Sequence, residues 1–151
     1  MNLSKGEIQE LFDSIQSDAF PEVQSKLCYY NKKFTGWSSP YTGNISFNYE
    51  LLNQRITLDA VKGVIAHELA HQITYQQESF FKKWFVMLTY RFISSSRTFA
   101  EHDADRITID RGYGKELLAN RIETTERITD DKLLALYTRH YMSAKEIRAR
   151  L

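Results

Sequence analysis

Residues 64–73 read VIAHELAHQI, and this stretch decides how the rest of the chain is interpreted. It places His67, Glu68 and His71 among valine, isoleucine, alanine and leucine, in a segment that we expect to be a largely buried helix over about 60–77. Residues four apart on a helix share a face, so the two imidazoles would point the same way one turn apart. Their nitrogens could then meet at a single metal ion.

Glu68 lies about 100° round the helix axis from His67, which places it poorly for a third ligand and well for contact with a metal-bound water. A buried pair of histidines with a carboxylate is costly unless a metal or hydrogen-bond partners satisfy it. The competing interpretation is a pair of core histidines hydrogen-bonded to backbone, with Glu68 at the surface. Because HExxH also occurs by chance, the metal hypothesis depends on finding a further ligand.

A third ligand is available in the segment FAEHDADRITIDRGYG, residues 99–114. Catalytic zinc usually takes three protein ligands and leaves a fourth position for water. Glu101 and Asp105 share one face of a predicted helix with Ile109, which indicates that this face is the core side. We therefore predict Glu101 as a zinc ligand and Asp105 as the acceptor of a histidine N–H. The alternatives are His102 as the ligand, or a solvated acidic helix start favoured by the helix dipole.

The bulk properties of the chain are those of one globular domain over residues 1–151, with 42% hydrophobic and 26% charged residues. A net charge of +1 gives no reason to expect a nucleic-acid partner. The single cysteine, Cys28, rules out an internal disulfide and is expected to be a small buried residue. The N-terminus has no apolar signal core and no apolar run approaches about 18–20 residues, so we expect a cytoplasmic protein.

Hydrophobic periodicity and capping residues predict an α+β fold, with a small sheet from the first third of the chain and helices packed against it. The predicted elements are a helix over 4–16 capped by Ser4 and Glu7, a strand over 23–34, a loop over 36–40, a strand over 43–48 (GNISFN), helices over 60–77 (N-cap Asp59) and 97–111 (C-cap Gly112), shorter helices over 115–127 and 130–139, and a last helix opened by Ser143 and Glu146.

An aromatic segment lies between the two helices that carry the candidate ligands, at residues 80–93. Its large apolar side chains are interspersed with three cations, and it is too short to span a bilayer. It could be a core helix behind the active-site helix, a helix at a membrane surface that gives peripheral membrane contact, or a flap that selects apolar substrate side chains.

HELAH, followed by Glu-x-x-x-Asp on a second helix, resembles the gluzincin metallopeptidases. The sequence AEHDAD, followed by GYG, is most similar to that of the HtpX and CAAX-prenyl-protease type. The similarity covers about residues 43–148 and is strongest at 64–73 and 100–105. Those relatives are embedded in membranes, so this chain resembles a soluble, minimal version with a zincin-like fold.

The resemblance implies one Zn²⁺ per chain and a zinc metallopeptidase of the gluzincin type. In it, the zinc ligands are His67, His71 and Glu101, the catalytic base is Glu68 and the supporting aspartate is Asp105.

The function that follows is zinc-dependent endopeptidase activity, in which Glu68 activates a zinc-bound water for attack on a peptide bond. For the oxyanion donor we predict His140, with Tyr137 and Tyr141 behind it. A peptide or protein substrate is expected to bind as an extended strand on a sheet edge, with residues 43–48 as the edge strand. The alternative functions are a zinc-binding regulator or sensor that cleaves little or one target, and a metal-free interaction module.

Overall fold

The structure is a computed structural model that describes residues 2–30, 35–55, 57–77 and 93–151. It confirms a mixed α+β class, mostly helical with a small three-stranded sheet. The elements are α1 (Lys5–Ala19), β1 (Leu27–Tyr29), β2 (Gly36–Ser38), β3 (Ile45–Phe47), α2 (Tyr49–Asn53), α3 (Leu58–Gln77), α4 (Ser94–Thr108), α5 (Gly114–Arg127), α6 (Asp131–His140) and α7 (Ala144–Arg148), with a π-helical turn (Ile109–Tyr113) between α4 and α5.

The sheet has the order β1-β3-β2, with β1 parallel and β2 antiparallel to β3. The predicted strand over 43–48 is confirmed, and its Ile45 and Phe47 are both buried. Its predicted place at a sheet edge is wrong, because β1 and β2 pair with its two sides. The predicted loop over 36–40 is also wrong, since Gly36–Ser38 forms β2. The sequence of β2, GWS, shows no alternation of apolar and polar side chains that would predict a strand. Its conformation depends instead on backbone pairing with β3.

The first helix confirms its predicted cap. The Ser4 hydroxyl accepts a hydrogen bond from the Glu7 backbone N–H, and the Glu7 side chain accepts one in return from the Ser4 N–H. Its apolar stripe buries Ile8, Phe12 and Ile15 against the core. The strand predicted over 23–34 is shorter, since β1 covers three residues and residues 31–34 lie outside the described part of the chain.

Helix α3 runs through the main core, where Val61, Ile65 and Leu69 are fully buried. The predicted N-cap at Asp59 is wrong: Asp59 lies in the first turn, and the hydroxyl of Thr57 accepts the Ala60 N–H at 3.2 Å. The helix starts earlier than predicted because Thr57 itself supplies the capping oxygen.

Gly63 allows the closest approach between two helices. A β-carbon at this position would lie 2.2 Å from the carbonyl oxygen of Glu116, so only glycine lets the backbone of α5 lie against α3 here. This contact lies one turn before His67 and therefore sets how near α5 comes to the face of α3 that carries His67.

The later helices lie close to their predicted positions. The α-helical part of the 97–111 prediction ends at Thr108, and Gly112 breaks the following turn with φ 88°, in the left-handed region where glycine is favoured. The capping box of Ser143 and Glu146 is confirmed at the start of α7.

Cys28 and the aromatic segment are the subject of two further predictions. Cys28 is partly buried in β1 and is a free thiol. Most of the aromatic segment, residues 80–92, lies outside the described residues. None of the helices in the described ranges combines the length and the apolar character needed to cross a membrane.

Candidate metal centre

Helices α3 and α4 bring three potential ligand atoms together. The Nε2 atom of His67 lies 3.2 Å from Oε2 of Glu101, and Nε2 of His71 lies 3.4 Å from the same oxygen. One ligand atom from each of the three residues falls within 4.8 Å of the others. All three side chains are buried, and Glu101 is only 2% exposed. This group could hold a metal ion.

The donor set fits zinc in chemistry and in spacing. Zinc takes imidazole nitrogen and carboxylate oxygen at about 2.0–2.2 Å, which places neighbouring ligands of a tetrahedron about 3.3 Å apart. The two histidine-to-glutamate distances, 3.2 and 3.4 Å, match that edge. Three protein ligands are also the number that leaves one position open for chemistry.

The electrostatics of the group favour positive charge at the same point. Burial lowers the pKa of His67, but the nearby carboxylates of Asp105 and Glu101 outweigh it and raise that pKa to about 10. Burial acts to raise the pKa of Glu101, but the two imidazoles hold it well below its usual value. The carboxylates thus stabilise a cation between the rings, whether it is carried by a proton or by a metal.

Asp105 lies behind His67, on the side away from Glu101. Its Oδ1 is 2.9 Å from Nδ1 of His67, a close ion-pair contact in which the ring N–H is not aimed straight at the oxygen. The carboxylate also receives two hydrogen bonds from Arg121 Nη2, at 2.7 and 2.8 Å, and one from the Met142 N–H at 2.9 Å. Burial acts to raise the pKa of Asp105, but Arg121 outweighs it and the pKa is lowered. Asp105 therefore stays charged and fixes the ring of His67.

Arg121 is a site residue that the sequence interpretation missed. It is fully enclosed, and its Nη1 donates to the Tyr137 hydroxyl at 2.5 Å. A signal was present, because Arg121 follows Leu117 by four residues and so shares the apolar face of its helix. A charged residue on a buried face needs a buried partner, and Asp105 is that partner.

Glu68 lies outside the three-residue group, on the wall of an adjoining cleft of about 360 Å³. We use "the cleft" for the space lined by Thr35, Gly36, Arg55, Val64, His67, Glu68, Arg97, Asn120, Arg121, Thr124, Ile128, Leu133, Leu136, Tyr137 and Tyr141. Burial raises the pKa of the Glu68 carboxyl. Glu68 thus faces the cleft beside the candidate metal group of His67, His71 and Glu101, where a proton acceptor would need to lie.

Strand β2 is fixed against the helix at this point. The Ser38 hydroxyl donates to the Glu68 carbonyl at 2.9 Å and accepts from the side-chain amide of Gln72 at 2.7 Å. At Gly36, a β-carbon would lie 2.6 Å from Glu68 Oε1, so glycine is required for this close approach. A sheet edge therefore runs directly beside the Glu68 carboxylate.

His140 is not placed as the sequence interpretation expected. It is buried, and its Nδ1 lies 2.9 Å from the Thr98 hydroxyl on α4. Burial and the nearby Arg97 lower its pKa. Tyr137 and Tyr141, which were expected behind His140, line the cleft instead. They lie one turn apart with stacked rings, and this arrangement turns His140 towards α4.

His102, the alternative ligand, is also separate from the metal group. It lies in a shallow groove with Thr98, Phe99 and Arg139. Glu101 is the residue of this helix that the structure brings to the two histidines.

The site as a whole combines a possible metal group, a carboxylate beside it and a cleft next to a sheet edge. Comparison of the chain with models of protein families, with curated proteins and with solved structures gives no match. By its geometry, the site could bind a divalent cation and hold a proton acceptor next to it.

We expect one zinc per chain in the purified protein, released by a chelator, because three buried donors converge on one point. His71→Ala and Glu101→Ala should each lower zinc affinity at least tenfold, measured by competition with a chromogenic chelator. His102→Ala is the matched control and should bind zinc like the wild type. Stoichiometric zinc in the Glu101→Ala protein with unchanged affinity would contradict the assignment.

We also expect Arg121→Met to destabilise the fold by about 3–5 kcal/mol, because it leaves the Asp105 carboxylate buried with its main partner gone. The control is Arg106→Met, which breaks the ion pair with Asp103. Because the Arg106 side chain is 55% exposed, this substitution should lower the free energy of unfolding by only about 0–1 kcal/mol. Urea denaturation in the presence of chelator measures both. Equal losses would show that Arg121 does not hold the buried carboxylate.

Proposed function

We propose that this chain is a zinc-dependent endopeptidase of the gluzincin class, similar to a soluble, minimal HtpX or CAAX-prenyl-protease-type domain with a zincin-like fold. One observation carries the proposal. His67, His71 and Glu101 converge with the spacing of a zinc ligand set, and Glu68 faces the cleft beside them. The identity of the metal and the peptide substrate belong to this proposal.

The three residues would hold zinc, which when bound supplies a Lewis acid that lowers the pKa of water and polarises a carbonyl. Glu68 takes a proton from the attacking water as the water oxygen bonds to the peptide carbonyl carbon. It then passes the proton to the amide nitrogen as the C–N bond breaks. Burial raises the pKa of Glu68, which suits a group that must both accept and return a proton.

The carboxylate of Asp105 supports this chemistry from behind His67. Because it contacts Nδ1, it leaves Nε2 directed at the point shared with His71 and Glu101. Arg121 balances the charge of Asp105, so the negative charge of this carboxylate is not an uncompensated cost in the core.

The substrate would bind as an added strand along β2. In the described part of the chain β2 is a sheet edge, and its Gly36 lies against Glu68. Main-chain hydrogen bonds to such an edge hold an extended peptide without regard to its side chains. A peptide paired there would pass the proton acceptor and the metal ligands, and this geometry favours a peptidase over a hydrolase of small esters.

For the oxyanion donor we choose Tyr137 in place of His140. The Tyr137 oxygen accepts a hydrogen bond from Arg121, which leaves its own O–H free to donate into the cleft. A hydrogen bond received from a guanidinium also makes the hydroxyl a stronger donor towards a developing negative charge.

A zinc-binding regulator or sensor is the competing function. A site that only holds zinc has no use for a partly buried carboxylate that faces a cleft next to the ligands. Glu68 therefore favours the enzyme, and its substitution separates the two functions.

Glu68→Gln should lower hydrolysis of an unbiased peptide library at least 100-fold, because it removes the proton acceptor. Zinc stoichiometry should stay at one per chain, measured on the same sample. Glu126→Gln, an exposed position on α5, is the matched control for the loss of one carboxylate. Loss of zinc together with activity would make Glu68 a ligand, and a zinc-loaded wild type that cleaves no peptide would favour the regulator.

Tyr137→Phe should lower kcat about 100-fold with little change in KM, because an oxyanion donor acts mainly in the transition state. The variant keeps the ring that stacks on Tyr141 at 4.6 Å between centroids. His140→Gln is the comparison and should retain most of kcat. The opposite ranking of the two variants would restore His140 as the donor.

A further inference from the structure

Arg55 is a buried cation on the wall of the cleft. It follows α2, it is 7% exposed, and it lines the cleft together with Glu68 and Tyr137. One guanidinium nitrogen, Nη2, donates to the Thr35 hydroxyl at 3.3 Å, and Nε is buried without a hydrogen-bond partner. Among the residues that the structure describes, no carboxylate forms an ion pair with Arg55.

This arrangement is costly for the folded chain. A guanidinium remains charged in proteins, and a buried charge is destabilising unless a partner of opposite sign compensates it. Burial accordingly lowers the pKa of Arg55, although Tyr137 and Glu123 act to raise it. Oε1 of Glu123 is itself occupied at the start of α3, where it accepts hydrogen bonds from the Thr57 N–H at 3.0 Å and hydroxyl at 2.6 Å.

Arg121, in the same cleft, has a carboxylate partner, although its Nε is also buried without a hydrogen-bond partner. Both oxygens of Asp105 accept hydrogen bonds from it, and it stacks over Tyr141 with 4.6 Å from its central carbon to the ring centroid. Arg55 is also buried, at 7% exposed against 2% for Arg121, but it has no such carboxylate among the described residues. The difference indicates that the partner of Arg55 lies outside the part of the chain that the structure describes.

The rest of the cleft agrees with an anionic occupant. Arg55 and Arg97 line it together with Arg121, whose charge Asp105 balances, and Glu68 is the one acidic residue among its described lining. Apolar side chains line another part of it, namely those of Ile128, Leu133 and Leu136. A group that fits this surface carries a negative charge next to an apolar side chain.

We propose that Arg55 binds a carboxylate of the substrate, so that the cleft selects peptides with an acidic group beside an apolar side chain. A guanidinium matches a carboxylate through two parallel hydrogen bonds, and the buried Nε–H is one of the donors that such a pair uses. The identification of the ligand as a peptide rests on the proposed function, whereas the anion site rests on Arg55 itself. The carboxylate belongs either to an acidic side chain or to a peptide C-terminus.

Two pairs of probes separate these sources. N-acetylphenylalanine and its amide test the C-terminal carboxylate. N-acetylphenylalanyl-glutamate α-amide and its glutamine counterpart test the side chain. Binding is measured by calorimetry on the whole chain in the presence of chelator, so that no zinc can attract the carboxylate. We expect the acid of at least one pair to bind about tenfold more tightly than its neutral partner.

Arg55→Met should abolish this preference, and Arg55→Lys should keep part of it because the charge remains without the planar fork. The matched control is Arg127→Met. Arg127 is exposed, lies outside the cleft lining, and acts on Arg55 through space, so its loss should leave most of the preference. An equal loss in both methionine variants would indicate a general field and would overturn the proposal.

Equal binding of acid and neutral probes to the wild type would also overturn it, as would a preference that survives in Arg55→Met. If Arg55→Met does not fold, the Nε–H resonance of Arg55 in the wild type decides: it should shift with the acid probe and not with the neutral one. Neither zinc nor hydrolysis enters these measurements. Their failure therefore leaves the proposed peptidase standing, and failure of the peptidase leaves the carboxylate site standing.

Discussion

The carboxylate of Asp105 is the point on which the site depends, because segments far apart in the chain meet at it. It contacts the ring of His67 from α3, the guanidinium of Arg121 from α5 and the backbone N–H of Met142 after α6. Desolvation of a fully buried carboxylate costs several kcal/mol unless buried partners compensate its charge. Taken together, the three contacts stabilise Asp105 as an anion. They also fix the positions of α3 and α5 relative to α4 around the candidate metal group.

The spacing of four residues on α4 gives His67 its orientation. Glu101 contacts Nε2 of this ring and Asp105 contacts Nδ1, so two carboxylates one helical turn apart hold opposite sides of one imidazole. His71 is held differently, by Glu101 on one side and by the ring of Tyr75, stacked at 5.8 Å between centroids. The candidate metal group of His67, His71 and Glu101 is therefore preorganised by contacts between α3 and α4, and Glu68 faces the cleft beside it.

The parts of the site that depend on helical periodicity could be predicted from the sequence, because this periodicity relates residues that lie close together in the chain. The shared face of His67 and His71, that of Glu101 and Asp105, and the cap at Ser4 all follow from spacings of three or four residues. Strand β2 could not be predicted, since its pairing with β3 is non-local. Arg55 lies between elements where no periodicity applies, and the positions of Tyr137 and His140 depend on how α6 turns against α4.

The glycine at position 63 has a consequence for how this architecture can vary. The backbones of α3 and α5 touch there, so any larger residue would act as a spacer that tilts the two helices apart. Such a tilt would also move Arg121, on α5, relative to its ion-pair partner Asp105. A single methyl group added at position 63 would lie a full turn from the nearest imidazole. It would nevertheless change the spacing of the candidate metal group, although His67, His71 and Glu101 all remained in the sequence.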